Sequence, residues 1–175
     1  IATSLLLGCD KTDSSTDVTD RYGLPLNPPA NSILVDASKD GGGWWFPQGP
    51  LTGYNAAAHH QGKALVDYLK RLGYVVHELP RGAVITTKLL NNYSKVIRAS
   101  AFFNYTTDEI AAYESFLNRS SSLFLISDHL KNSTNDRLSA HLGLMFEGSH
   151  WGPINSLQSH PVTAGVSSVS FIAGS

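Results

Sequence analysis

Four short runs rich in apolar residues recur along the middle of this chain, separated by stretches with other patterning. They are Ser32–Asp36 (SILVD), Tyr74–Leu79 (YVVHEL), Lys95–Ser100 (KVIRAS) and Ser122–Ser127 (SLFLIS), the last being the most apolar. Runs this short and this continuous suit strands buried on both faces. Ala56–Leu72 reads as a helix, because Leu65, Tyr68, Leu69 and Leu72 fall at i, i+3, i+4 and i+7. Gly73 supplies its stop. Thr86–Asn92 reads as a short helix and Asn135–Leu142 as another. Thr106 and Glu109 form a capping-box pattern and open a helix with Ile110, Tyr113 and Leu117 on one face. Leu144–Glu147 is expected as a fifth strand and Val169–Ile172 as a sixth. Strand and helix in alternation predict an α/β fold with three layers: a mostly parallel sheet, flavodoxin-like, with helices on both faces.

Composition agrees with one packed domain. Of 175 residues, 42% are apolar and 15% charged, against roughly 25% charged in an average soluble domain. Thirteen basic and 14 acidic residues leave a net charge of −1, which excludes a strong electrostatic footprint for nucleic acid. One Cys excludes a disulfide scaffold, and no Cys/His spacing resembles a zinc finger. No segment of the body reads as a transmembrane span, and no cofactor is implied.

In open parallel sheets ligands sit beyond the carboxyl ends of the strands. That rule gathers one rim from distant stretches. The first strand ends at Asp36 and leads through Lys39, Gly41–Gly43, Trp44 and Trp45 towards His59 and His60 at the start of a helix. The third ends at Ser100, before Phe102, Phe103 and Asn104. The fourth ends at Ser127, Asp128 and His129. The fifth ends at Glu147, before His150 and Trp151. Asp36, Trp44, Trp45, His59, His60, Ser100, His150 and Trp151 are the candidate ligand-binding set. Adjacent indoles suit a sugar ring or another flat apolar face. Asp128 and His129, a carboxylate and an imidazole at a strand-to-loop elbow, suit a divalent metal or a general base, and with Ser127 they are the catalytic candidates. The glycine run is neither GxGxxG nor a P-loop. His77 and His141 read as structural.

The ends carry their own signals. Residues 1–9, IATSLLLGC, resemble the tail of a bacterial lipoprotein signal, with Cys9 as the lipidated residue holding the protein on a membrane. No basic segment precedes the apolar run, so a longer reading frame is expected. Residues 10–31 read as a polar, then Pro-rich, linker. The domain is expected over 32–175, truncated at its C-terminus, because VSSVSFIAGS reads as a strand running off the end.

ILVDAS at 33–38, GKALVDYLKRLGYVVHEL at 62–79, YTTDEIAAYESFLNRSSSLFLISDH at 105–129 and HPVTAGV at 160–166 resemble the class I glutamine-amidotransferase-like superfamily. Within it they resemble the secreted or membrane-attached members, and less closely the trehalose-utilisation type. The resemblance implies a flavodoxin-like sheet. It also implies a Cys nucleophile at the elbow after the fourth strand, where this chain has Ile126-Ser127-Asp128-His129-Leu130. A thiolate mechanism is therefore absent. Ser127 lacks the flanking glycines of a strained nucleophile turn. His160 in HPVTAGV reads as structural. The expected function is a lipid-anchored envelope protein facing the periplasm or exterior. Its non-catalytic domain would bind a small ligand, carbohydrate included, or an envelope partner protein, such as one of a transport or motility complex. The alternative is a metal-assisted hydrolase using Asp128 and His129 with Asp36 or Glu147.

Overall fold

The computed structural model describes residues 19–46, 59–127, 136–145 and 152–171. In chain order the elements are β1 (Ser32–Asp36), β2 (Trp45–Phe46), β3 (His59–His60), α1 (Lys63–Arg71), β4 (Val75–Leu79), α2 (Thr87–Leu90), β5 (Lys95–Arg98), α3 (Thr107–Leu117), β6 (Ser122–Leu125), α4 (Arg137–His141), β7 (Gly152–Ile154), a 3-10 turn (Pro161–Thr163) and β8 (Val169–Phe171). All four expected strands join one parallel sheet in the order β4-β1-β5-β6. Counted within the sheet this is 2-1-3-4, the opening of the flavodoxin-like doubly wound order.

Strand alternation sorts the core into two layers. Ile33 and Val35 of β1 and Ile97 of β5 face α1, where they pack with Val66, Trp44 and Trp45. Leu34 and Val96 face the other way, onto Leu89 and Leu90 of α2, Ile110, Tyr113 and Phe116 of α3 and Leu138 of α4. Helices thus cover both faces of the sheet.

Local chemistry explains the helix ends. The Thr106 hydroxyl accepts from the Glu109 amide, and the Glu109 carboxylate accepts from the Thr106 amide, so the expected capping box forms. At the end of α1, Gly73 takes φ 88°, the Gly73 amide donates to the Lys70 carbonyl, and Tyr74 donates to Leu69. This is a Schellman cap, and it needs the left-handed residue that glycine provides.

Four expectations are corrected. The helix over Ala56–Leu72 begins only at Lys63, and His59–His60 forms a strand antiparallel to Trp45–Phe46. Helix α1 is seated against the Trp44 ring at Gly62, where an added Cβ would lie 2.4 Å from the indole. Leu144 and Met145 are exposed and not in a strand, and the rest of that expected strand lies outside the described residues. The strand at Val169–Phe171 exists, but it pairs antiparallel with Gly152–Ile154 in a separate ribbon. Finally, packing starts well before residue 32. Asp20 accepts from the amides of Tyr22 and Leu24 in a tight turn bridged by Thr19 and Pro25, and Leu24 enters the core beside α2. No helix among the described residues is long and apolar enough to cross a membrane.

Candidate functional site

In this strand order the sheet reverses direction of growth between β1 and β5, which makes the crevice above their carboxyl ends the expected ligand position. Two charged residues stand there side by side, because Asp36 and Arg98 are register partners at the ends of those strands. Both are buried.

Each is already held. Asp36 accepts from the Ser38 amide (2.8 Å) and from the hydroxyls of Tyr105 (2.7 Å) and Tyr113 (2.5 Å). Burial, and the charge of Asp36 beside them, push both phenols well above their ordinary value, so they remain donors. Arg98 donates to Asp136 at 2.5 Å and to the Ser139 hydroxyl at 3.3 Å. Asp136 is also the N-cap of α4, accepting from the Ser139 amide. Of this cluster, the Arg98 Nε and the Ser38 hydroxyl have no partner among the described residues.

The loops that rise from the strands are closed in the same way. Lys39 donates to Glu109 at 2.8 Å, and the Ile85 amide donates to the same oxygen at 3.2 Å. Burial raises the Glu109 carboxyl. The Lys39 hydrogen bond and the amides of Thr106 and Ile85 outweigh this and hold it below its ordinary value. One side chain thereby ties the start of α3 to two other loops. The Phe102 and Phe103 amides both donate to the Lys39 carbonyl. An added Cβ on Gly41 would lie 2.3 Å from the Phe102 ring, so any other residue here would displace that ring.

The glycine-rich loop encloses a carboxylate of its own. Asp40 accepts from the amides of Gly42 (3.2 Å), Trp44 (2.7 Å) and Trp45 (3.1 Å). Arg81 donates to Asp40 at 2.9 Å through Nε and also to the Trp45 carbonyl. In phosphate-binding loops, amides of this kind converge on a ligand anion. Here they converge on Asp40, whose charge Arg81 neutralises.

Trp44 and Trp45, expected to present flat faces to a ligand, are only 4% and 2% exposed. Their rings serve the α1 face of the core and leave no open platform. The Trp44 Nε1 donates to Glu78 (2.8 Å), which also meets His60 Nε2 at 2.7 Å. The His60 ring lies edge-on to both indoles. His60 is half-buried, and its Nδ1 is shielded from solvent with no partner among the described residues. His59 pairs through its backbone with Phe46.

The structure therefore brings Asp36 to the switch point and His60 to the indoles, in two groups on opposite faces of the sheet. Ser100 is buried after β5, and Ser127 is half-buried two residues past the end of β6. Cys9, Asp128, His129, Glu147, His150 and Trp151 lie outside the described residues. No group of three or more His, Cys, Asp or Glu that could hold a metal occurs among the described residues. His77 meets the Tyr93 hydroxyl at 3.2 Å, and His141 meets Glu114 at 3.0 Å.

The residues that sequence reading missed are Asp40, Glu78, Arg81, Arg98, Tyr105, Tyr113 and Asp136. Arg98 carried a usable signal. A guanidinium closing an otherwise apolar strand has to find an acid, since an unpaired buried charge is prohibitively costly.

No protein-family model matches the chain, and no curated protein matches it significantly. Among solved structures it is similar to one described as "mmIFT52 N-terminal domain", at 16% identity and a TM-score of 0.47. That likeness covers 74% of this chain and 51% of the other, so this chain spans about half the length of that structure.

Proposed function

We propose that this chain is a non-catalytic domain of the amidotransferase-like kind. It is tethered to a bacterial envelope through a lipid on Cys9, faces the periplasm or exterior, and binds a small ligand or a partner protein without turning over a substrate. One observation carries the reading: the charged groups at the switch point are engaged with one another. Asp36 is held by two phenols and an amide, Arg98 by Asp136, Lys39 by Glu109, and Asp40 by Arg81 together with the loop amides. Catalytic groups need a free lone pair or proton aimed where a substrate can reach it. The missing thiol at the fourth elbow, with Ser127 in its place, supports the same reading.

The metal-assisted alternative draws on Asp128, His129 and Glu147, and on Asp36, whose oxygens are already engaged.

The test uses the full reading frame with its own signal. Purified protein is expected to release no ammonia from glutamine and to hydrolyse no ester or glycoside panel substrate. The wild type is expected in the membrane fraction and Cys9→Ser in the soluble fraction. Turnover abolished by Ser127→Ala or Asp128→Ala overturns the non-catalytic reading. A wild type that is soluble with its signal intact overturns the anchor.

A further inference from the structure

The turn at residues 19–26 and the segment leading into and out of α2 enclose a cleft of about 320 Å³. None of Asp36, Lys39, Asp40 or Arg98 lines it, and its size matches the small end of ligand sites. Pro25, Leu26, Val84 and Leu89 make its apolar lining. Leu26 and Val84 are 38% and 44% exposed, so this apolar surface is open to solvent.

Its polar groups differ from those of the switch point. Arg21 is stacked on the Tyr22 ring at 4.7 Å, which fixes the guanidinium without neutralising it. Lys88, from α2, also lines the cleft. Among the described residues neither cation has an ion-pair partner. The Tyr22 hydroxyl accepts from the Val84 amide at 2.9 Å, which pins the two walls together and leaves its own proton to donate. The Asn92 side chain adds a further donor. The cleft holds one acid, Asp20, and one of its oxygens is taken by the amides of Tyr22 and Leu24.

We propose that this cleft is a binding site for a small amphipathic carboxylate. Arg21 and Lys88 receive the carboxylate, and Pro25, Leu26, Val84 and Leu89 cover a short apolar chain. Two cations against one acid leave the cleft net positive, and the apolar wall gives it its preference for a hydrocarbon tail. The site goes beyond the non-catalytic reading and does not depend on it.

The probe is sodium octanoate, titrated into the isotopically labelled full chain and followed by amide chemical shifts, with 1-octanol as the neutral comparison. Saturable shifts are expected at residues 20–26 and 84–92. Octanol is expected to bind roughly tenfold more weakly. The double variant Arg21→Gln/Lys88→Gln is expected to weaken octanoate by a similar factor while keeping the wild-type melting temperature. Shifts that do not saturate or that centre elsewhere overturn the proposal. So does octanol binding as tightly as octanoate, or a double variant that binds like the wild type. Each of these outcomes leaves the turnover and membrane-fraction tests untouched.

Discussion

Strands β1 and β6 look alike on paper and behave differently in the sheet. SILVD and SLFL both open with Ser and continue in large apolar residues. Every residue of β1 is buried, whereas β6 alternates exposed and half-buried positions and leaves Phe124 57% exposed. The difference is place in the sheet. β1 is flanked by β4 and β5 and covered on both faces, while β6 is the last strand of the order. The most apolar run is therefore not the most buried one, because an apolar run records tolerance of burial and neighbours decide how much burial occurs.

The first way to break that comparison is to truncate both strands. Leu34→Ala in β1 is expected to cost about 2–5 kcal/mol, as for a filled core position that cannot collapse. Phe124→Ala in β6 is expected to cost only about 0.5 kcal/mol, as for a surface position. Denaturant unfolding of the two variants checks this, and equal losses would mean that β6 is as enclosed as β1.

A smaller effect sharpens the reason β1 is so tightly held at its end. Tyr113→Phe removes one hydroxyl from the Asp36 carboxylate and leaves the ring in place, with an expected cost of about 1.5–3 kcal/mol. A neutral result would show that Asp36 has another donor in reach.

The smallest effect is acid sensitivity. His77, in β4, is held below its ordinary value of 6.5 by burial, so the folded chain resists its protonation. Glu109 sits below its ordinary 4.5 for the reasons given above. In both cases the folded state binds protons less readily than the unfolded chain. Stability is therefore complete above each ordinary value and falls as pH drops through it. Urea midpoints are expected to begin falling near pH 6.5 and to fall again below 4.5. In His77→Gln the first decline is expected to disappear while the second persists.

Much of the fold was legible in the sequence. The four parallel strands, the capping box at Thr106 and the stop at Gly73 each depend on residues within a few positions of one another, so local pattern suffices. The His59–His60 strand was not legible. Two residues carry no period, and their partner at Trp45–Phe46 lies outside any local sequence window. Of the candidate site, the rim position of Asp36 followed from topology. Its role did not, because Tyr105 and Tyr113 arrive 69 and 77 residues later. The indoles were misplaced for a related reason: two adjacent Trp on a loop read the same whether the loop lies open or, as here, folds its rings beneath α1.

Arg98 and Asp136 decide most directly whether the switch point is a clamp or a site. Groups kept for binding or chemistry commonly cost stability, and removing them raises it, whereas clamps lower it when broken. A double-mutant cycle on Arg98→Met and Asp136→Leu, read by urea unfolding, measures this. Each single variant is expected to lose about 3–5 kcal/mol, because it strands a buried charge, and the double variant is expected to recover a large part of that loss. Single variants as stable as the wild type, or single losses that simply add in the double variant, would contradict the account and return the crevice to the status of an open functional site.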